Sequence, residues 1–284
     1  MKKFLFVTHI TPCAKRTALR RSLIDIYFRA LDAQTYGNWK VAVLGEEEKT
    51  EGRFHYFFLG DLPKEEKFAE VRKIFSKPEM TALTGEADYI IKLDDDDIIS
   101  PRLLQDLAEF DGDLYYDKYH TFTDVSSGMI TQQRRQWIAS TCVHKKEHAL
   151  SAWNGPGASA VGNLLYSDHS QSWHLYYGDK KTVAADPHHP VYLRVLSPTS
   201  VSSGASAGEG NRNDIPMNGY RDYLAKFGDW TRADVKDFDA YLPLLARAWN
   251  DFSGSPQSPL PPFAKKEGGV RGRIRKWLSG LHKS

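Results

Sequence analysis

Residues 1–110 alternate between short apolar segments and longer segments with helical periodicity, and this order restricts the fold more than any other feature. The apolar segments have the length and composition of buried parallel strands. They lie at residues 3–8, 39–44, 54–59 and 88–93. Residues 16–34, 64–83 and 101–110 predict helices, and Pro78 should break or kink the second of them. The alternation predicts an α/β fold with a doubly wound, mostly parallel sheet.

Beyond residue 112 the segments become shorter. Residues 113–123 and 129–137 predict two strands joined by a turn, which is a small antiparallel addition to the sheet. A helix at 169–177 and strands at 182–185 and 191–196 are predicted next. C-terminal helices are predicted at 217–227 and 232–249, after a loop rich in Ser and Gly. The second half therefore completes one α/β architecture.

Composition restricts the class of protein. The 284 residues suit one large α/β domain or two small ones, and 41% hydrophobic content is typical of a globular protein. Two cysteines imply no disulfide framework, so a reducing, cytoplasmic location is expected. No stretch approaches the length of a membrane span. Residues 264–284 hold seven Lys or Arg and one Glu, which leaves the rest of the chain at −4. An acidic body argues against a nucleic-acid partner.

Four consecutive aspartates, Asp94 to Asp97, follow the predicted strand at 88–93. Neighbouring carboxylates repel one another unless a cation lies among them. Mg²⁺ and Mn²⁺ prefer oxygen ligands and often bridge one or two carboxylates to phosphates. Open α/β sheets also bind ligands at the carboxyl ends of their strands. The run predicts a divalent metal site. The alternative is a solvated acidic turn in which Ser100 caps a helix beginning at Pro101.

Three segments together resemble the family 2 glycosyltransferases. Residues 31–44, LDAQTYGNWKVAVL, resemble the Gln-Thr-Tyr pattern that ends the first helix of that family. Residues 93–101, LDDDDIISP, resemble its DxD segment. Asp168, followed 26 residues later by Arg194 and then by SPTSVS at 197–202, resembles its catalytic carboxylate, Tyr-x-Arg and Ser-x-Ser series. The resemblance implies the GT-A fold, which is the fold of nucleotide-diphospho-sugar transferases.

The resemblance also implies a metal-dependent, inverting glycosyltransferase of the hexosyltransferase kind. Its donor would be a nucleotide-diphosphate sugar and its acceptor a glycan or a lipid-linked glycan. Asp96 and Asp94 would bind Mn²⁺ or Mg²⁺, and Asp168 would be the general base, a role compatible with capping the next helix. The expected donor-binding residues are Thr8, His9, Asp94, Asp95, Lys77 and Arg194. A core role for His9 and a solvated helix face for Lys77 remain open.

The sequence is also consistent with two other functions. One is a non-catalytic sugar-nucleotide or glycan-binding module on the same fold. The other follows from HKKEH at 144–148, which matches the HxxEH motif of inverted zinc metalloproteases. On a helix, His144 and His148 could bind zinc with Glu147 as the base. The favoured interpretation of HKKEH is a charged helix start after a strand at 141–143.

The chain is predicted to divide at a Pro/Ser-rich linker. Residues 1–252 form the GT-A domain, with a nucleotide-sugar-binding half at 1–111, an acceptor half at 112–213 and a helical extension at 214–252. Residues 253–284 form the linker and a basic tail with apolar residues on one helical face. Such a tail suits an anionic membrane surface and peripheral attachment to the inner face of the membrane. A helix packed on the body and a disordered solubilising end are the alternatives.

Overall fold

The computed structural model describes residues 1–200, 217–227, 230 and 235–254. Its strands are β1 Phe4–His9, β2 Trp39–Gly45, β3 Lys49–Glu51, β4 Phe54–Phe58, β5 Tyr89–Asp94, β6 Ile98–Ile99, β7 Leu114–Tyr116, β8 Tyr119–Asp124, β9 Ile130–Arg134, β10 Val143–Lys145, β11 Thr182–Ala184 and β12 Tyr192–Leu196. Its helices are α1 Ala18–Asp32, α2 Lys64–Phe75, α3 Pro78–Glu86, α4 Leu103–Asp106, α5 Lys146–Ala149, α6 His169–Tyr176, α7 Met217–Leu224 and α8 Leu242–Ser253.

The main sheet has eight strands in the order β11-β7-β10-β5-β1-β2-β4-β3. Strands β5, β1, β2 and β4 are parallel, whereas β10 and the edge strand β3 are antiparallel to their neighbours. The predicted mostly parallel α/β sheet is therefore confirmed. Because β1 and β5 are adjacent and in register, His9 lies opposite Asp94 at their carboxyl ends.

Both faces of the main sheet are covered, as a doubly wound fold requires. Side chains of β1 alternate between the faces: Phe4 and Phe6 pack with α1, whereas Leu5 and Val7 pack with α2 and α3. The helix residues of the first cluster include Leu19, Leu23, Tyr27 and Leu31, and those of the second include Val71, Ile74, Met80 and Leu83. An apolar layer on each face thus holds the parallel strands in place and fixes the positions of their carboxyl ends.

The predicted antiparallel addition is a separate four-stranded sheet in the order β6-β12-β8-β9. The hairpin β8–β9 is antiparallel, but β12 pairs with β8 in parallel, so the addition is mixed. The single strand predicted at 113–123 was wrong, because the chain divides it into β7 and β8. The buried Asp117 lies at this break and accepts a hydrogen bond from the Val191 amide at 2.8 Å, which ties the break to β12.

Two predicted helices are shorter than the periodicity suggested. Residues 101–110 contain only the single turn α4 followed by further turns. In the described part of the second helix, residues 235–249, a 3₁₀ turn, Lys236–Phe238, precedes α8, which has Pro243 in its first turn. A proline fits there, because the first amides of a helix have no partner, but it interrupts a helix that begins earlier. The predicted break of the 64–83 helix at Pro78 is confirmed.

The segment LDAQTYGNW, which begins at the end of α1, forms hydrogen bonds to residues that follow the aspartates. The amide of buried Gln34 donates to the Ser100 carbonyl at 2.7 Å, and the Thr35 amide donates to the Pro101 carbonyl at 3.0 Å. The Tyr36 hydroxyl donates to the Lys2 carbonyl at 2.9 Å. Two of the segments quoted for the family resemblance therefore hold each other in place.

None of the described helices is long and apolar enough to cross a membrane. The predicted amphipathic tail lies outside the described residues from position 255 onward. The same is true of residues 201 and 202 of the SPTSVS segment and of most of the predicted loop after it.

Candidate functional site

A cleft of about 540 Å³ opens at the carboxyl ends of β1 and β5. Residues of β5 and the turn after it, Asp94 to Asp97, form its floor, and α1, α2 and β12 contribute the walls. This is the edge at which open α/β sheets bind ligands. The structure brings five predicted site residues to this cleft: His9, Asp94, Asp95, Asp96 and Arg194.

A buried arginine, Arg20, neutralises two of the four aspartates. It lies in the first turns of α1, and its guanidinium donates through Nη2 to Asp95 and through Nη1 to Asp96. Its Nε donates to the Thr11 hydroxyl at 3.0 Å. Burial lowers the pKa of Arg20, but the neighbouring carboxylates outweigh burial and raise it above its ordinary value. The cation that the aspartate run requires is thus supplied partly by the protein itself.

The sequence interpretation missed Arg20, although a signal was present. Arg20 lies one turn before Ile24 and two turns before Tyr27, both on the buried face of α1. A lone arginine on an apolar helical face must find an acidic partner when the face is buried. The aspartate run was the obvious partner by charge, but only the packing of α1 on the sheet joins them.

The three buried aspartates also accept hydrogen bonds from backbone amides or a side-chain hydroxyl. Asp95 accepts from the Thr11 amide at 2.6 Å, and Asp96 accepts from the Ser200 hydroxyl at 3.3 Å. Asp97 accepts from the Val195 amide at 3.3 Å. Burial raises the pKa of Asp97 well above its ordinary value, and the positive charge of Arg194 offsets part of that rise. Asp95 and Asp97 therefore line the cleft as buried residues whose hydrogen bonds hold the turn in place.

Asp94 differs from its three neighbours because it is exposed. Its carboxylate makes no hydrogen bond or ion pair with the residues that the structure describes. Asp96 has one oxygen, Oδ2, occupied by Arg20 and Ser200, and its Oδ1 forms no such bond to a described residue. Two carboxylates with unoccupied oxygens fit Mg²⁺ or Mn²⁺, which usually keeps waters and substrate phosphates as further ligands.

The described part of the chain contains no cluster of three or more His, Cys, Asp or Glu that could hold a metal ion. A divalent ion at Asp94 and Asp96 would therefore need oxygens from a bound ligand to complete its coordination. The residues fit a metal that enters with an anionic ligand. They do not fit a preformed structural metal site.

Lysines face the carboxylates across the cleft. Lys67 of α2 is half-buried; burial lowers its pKa, and Asp95 and Asp94 oppose that effect. Lys15 is paired with Asp61 at 2.5 Å. Lys77, predicted to bind the donor, is not in the cleft wall; its ammonium lies 2.8 Å from Glu48. Lys67, and not Lys77, is therefore a lysine that lines the cleft of the aspartates.

The two residues at the end of β1 face opposite ways. Thr8 is buried and does not line the cleft, so the structure does not place it with the predicted donor-binding residues. His9 lines the cleft, and its Nε2 lies 2.6 Å from the Tyr166 hydroxyl. Burial, followed by the charges of Lys67 and Lys92, lowers the pKa of His9 well below its ordinary value. His9 is therefore a neutral hydrogen-bonding group at the edge of the cleft.

Asp168, the predicted general base, caps α6. Its Oδ1 accepts from the Ser170 amide at 2.9 Å and from the Ser170 hydroxyl at 2.7 Å, and its Oδ2 accepts from Gln171 at 2.8 Å. These bonds outweigh partial burial and lower its pKa, so the exposed carboxylate is ionised at neutral pH. Asp168 does not line the cleft, but it follows Tyr166, the partner of His9, by two residues.

The HKKEH segment does not have the geometry of a zinc helix. His144 lies on β10, and α5 begins only at Lys146, so His144 and His148 do not share a helical face. His144 is buried with Nδ1 2.7 Å from the Tyr177 hydroxyl, and His148 Nδ1 lies 3.0 Å from the Tyr176 hydroxyl. The interpretation as a strand followed by a charged helix start is confirmed, with the strand two residues later than predicted.

No protein-family model and no curated protein sequence matches the chain. Similar solved structures include residues 1–349 of TarS from S. aureus, at 11% identity and a TM-score of 0.37, covering 88% of this chain and 80% of that one. A glycosyltransferase involved in glycosylation of the major capsid of PBCV-1 has 11% identity and a TM-score of 0.33, covering 68% and 93%. Rv0371c from Mycobacterium tuberculosis H37Rv, in complex with manganese, has 9% identity and a TM-score of 0.34, covering 79% and 98%. Identities and scores this low assign no activity to this chain.

Proposed function

We propose that the protein is a glycosyltransferase that moves a sugar from a nucleotide-diphosphate donor to an acceptor hydroxyl. One observation carries the proposal: the exposed, unpaired carboxylate of Asp94 stands at the carboxyl edge of the sheet, beside buried aspartates that are already neutralised. A structural acidic turn would need no such group. A ligand that brings a cation and phosphate oxygens to Asp94 would use it.

The diphosphate of the donor would lie between Asp94 and the cationic wall of the cleft. Mn²⁺ or Mg²⁺ held by Asp94 and Asp96 would stabilise the negative charge that develops on the leaving diphosphate. Lys67 faces the same carboxylates from α2, and its ammonium can pair directly with a phosphate. The buried ion pairs of Arg20 with Asp95 and Asp96 would hold the aspartate turn in place while negative charge develops on the leaving diphosphate.

Asp168 is the proposed general base of an inverting transfer. A base must be ionised and must reach the acceptor hydroxyl as the new glycosidic bond forms. The lowered pKa and the exposure of Asp168 meet the first condition. Its position two residues after Tyr166, which contacts His9 at the edge of the cleft, supports the second. Asp168 would accept the proton from the acceptor while its bonds to Ser170 hold the carboxylate in place.

The donor site can be tested by calorimetry with nucleoside diphosphate, in the presence and absence of Mn²⁺. We expect Mn²⁺ alone to bind weakly and the nucleotide to bind at least tenfold more tightly with Mn²⁺ present. Asp94→Asn should remove that tenfold gain, a change of about 1.4 kcal/mol. The matched control is Asp25→Asn, an exposed carboxylate of α1 outside the cleft. Equal Mn²⁺ dependence in the Asp94→Asn variant and the control would refute the site.

The base can be tested by comparing donor binding with sugar transfer. Asp168→Asn should keep nucleotide affinity and lose transfer by roughly 10²- to 10⁴-fold, the usual contribution of a general base. Asp186, whose carboxylate accepts from the His188 amide at 2.9 Å, is the rival. If Asp168→Asn retains most of its transfer rate while Asp186→Asn loses it, the base is Asp186. A wild-type protein that binds nucleotide sugars and turns none over would be a binding module.

A further inference from the structure

A second cleft, of about 720 Å³, opens between β7, the end of β9 and α6. The residues that form it include Lys118, Arg134, Trp137, His174 and Tyr177. None of these belongs to the cleft of the aspartates. The proposed donor site and general base leave this space without a role.

The second cleft is basic, and two of its cationic side chains have no ionic partner in the described part of the chain. Lys118 and Arg134 are exposed, and neither forms an ion pair with any residue in the described part of the chain. Among the described residues that line this cleft, none is Asp or Glu. Positive charge without compensation in a concave surface attracts anions, and the body of the protein is otherwise acidic. The cleft therefore concentrates positive potential on a mainly negative molecule.

Aromatic surface lies beside these cations. Trp137 is 38% exposed, an unusual fraction for so large a side chain. The guanidinium carbon of Arg135 lies 5.3 Å from the centre of the Trp137 ring, 5.8 Å from that of Phe122 and 5.9 Å from that of Phe227. Arg135 thereby fixes the orientation of Trp137 on the protein surface. A fixed, exposed aromatic ring offers an apolar face to a flat ligand of matching size.

The cleft is connected to Asp168 through α6. Asp168 caps the first turn of α6, and His174, near the end of the same helix, lines the cleft. At the rise of 1.5 Å per residue, these six positions span roughly 9 Å. Ile138, another lining residue, accepts a hydrogen bond at 2.7 Å from His169, the neighbour of Asp168. A ligand lying in the cleft would therefore extend along α6 toward the proposed base.

We infer that this second cleft binds an anionic glycan, and that this glycan is the acceptor of the proposed transfer. Lys118 and Arg134 would pair with its phosphate or carboxylate groups, and the apolar face of one sugar ring would pack on Trp137. The identification of the glycan as acceptor rests on the proposed function. The binding of an anionic glycan does not, because it follows from the charges and the exposed tryptophan alone.

The test uses the full chain and three oligosaccharides of similar length: hexagalacturonate, which carries carboxylates, a phosphomannan oligosaccharide, which carries phosphates, and neutral maltohexaose. We expect calorimetry to show binding of one or both anionic oligosaccharides and at least tenfold weaker binding of the neutral one. The preferred anion identifies the charged group. Affinity for the preferred oligosaccharide should fall as salt is raised from 50 to 500 mM. Equal affinity for the neutral and anionic oligosaccharides would overturn the inference.

Two double variants with the same change of net charge separate the cleft from the general charge of the protein. Lys118→Gln with Arg134→Gln should weaken binding of the anionic glycan at least tenfold. Arg29→Gln with Arg72→Gln, on exposed positions of α1 and α2 outside both clefts, should change it less than twofold. Trp137→Ala should weaken binding of the glycan and leave that of inorganic phosphate unchanged. Equal losses in the two double variants would overturn the inference.

The same variants distinguish failure of this inference from failure of the proposed function. Binding of nucleoside diphosphate with Mn²⁺ should be unchanged in the Lys118→Gln, Arg134→Gln variant, because neither residue lines the cleft of the aspartates. If the protein binds the anionic glycan but no nucleotide, the inference about the second cleft stands and the proposed transferase function is refuted. If single-stranded RNA binds more tightly than either glycan, and the same variant loses that binding, the ligand of the second cleft is a nucleic acid and not a glycan.

Discussion

The charged side chains of the two clefts differ in their burial and in their ion pairing. In the cleft at the sheet edge, Asp95 and Asp96 are buried and paired with Arg20, and Asp97 is buried beside Arg194. In the basic cleft, Lys118 and Arg134 are exposed and form no ion pair with a described residue. Burial enforces pairing, since an isolated charge in a protein interior is costly, whereas an exposed charge is stabilised by water and stays free for a ligand.

The comparison shows that the number of charged residues in a cleft does not measure its capacity for a ligand. Four aspartates lie in sequence, but only Asp94 is both exposed and unpaired within the described chain. The others maintain the shape of the turn. The basic cleft has fewer ionic groups, but both of its exposed cations remain available.

The largest effect should follow from removing the cation of the buried group. Arg20→Met leaves Asp95 and Asp96 buried without a counter-charge, so we expect a loss of roughly 3–5 kcal/mol in the free energy of unfolding. For a domain of this size, that corresponds to a fall of roughly 6–20 °C in the Tm. Thermal unfolding followed by circular dichroism measures the change.

Two variants complete that experiment. Arg72→Met, at an exposed position of α2, should change the free energy of unfolding by no more than about 0.5 kcal/mol. Combining Arg20→Met with Asp95→Asn and Asp96→Asn should recover part of the loss, because the repelling carboxylates are then neutral. If Arg20→Met unfolds at the temperature of the Arg72→Met variant, the buried ion pairs are not what stabilises the turn.

A carboxylate near the basic cleft provides the second prediction. Asp117 is buried, and burial raises its pKa to about 7, although the amides of Val191 and Tyr192 oppose the rise. The unfolded chain has an Asp pKa of about 3.9. The folded state therefore binds the proton more tightly, and the stability contributed by this group is lost as the pH rises from about 4 through about 7. The loss amounts to roughly 4 kcal/mol at most.

Asp117→Asn cannot titrate, so its stability relative to the wild type should increase between pH 4 and pH 8 by up to that amount. Urea unfolding at the two pH values gives the difference, and other ionisable groups cancel in the comparison. Asp25→Asn, at an exposed position, should show no such change with pH. A constant difference between Asp117→Asn and the wild type would mean that folding does not raise the pKa of Asp117.

The smallest effects should separate the two predicted metal ligands. Asp96→Asn weakens a charged hydrogen bond to Arg20 and should cost roughly 1.5–3 kcal/mol. Asp94→Asn should stay within about 0.5 kcal/mol of the wild type. Equal urea midpoints for the two variants would show that Asp96 is as free as Asp94.

Parts of the site could be predicted because they depend on local sequence. The apolar segment at 88–93 predicted β5, and its end marked the aspartates as a carboxyl-edge feature of the sheet. The structure keeps His9, Arg194 and the aspartates together at that edge. Thr8 was assigned to the donor because it ends the first strand, and Lys77 because its ammonium could neutralise a phosphate. Neither argument reveals which way a side chain points or which neighbour it pairs with. Thr8 is buried instead, and Lys77 pairs with Glu48.

The sequence by itself determined the alternation of the main strands and helices in the first half of the chain, the parallel core of the sheet and the position of the acidic turn. Those features follow from apolar segments of strand length, from the helical period of 3.6 residues and from breakers such as Pro78, which act within a few positions of the chain. Only the tertiary structure decided which charges are free. Arg20 reaches Asp95 and Asp96 across 75 and 76 positions, and Asp117, between β7 and β8, accepts hydrogen bonds from the amides of Val191 and Tyr192 at the start of β12. Packing of α1 on the sheet buries some of the charges and leaves Asp94 in water, and that burial determines which carboxylates must be paired.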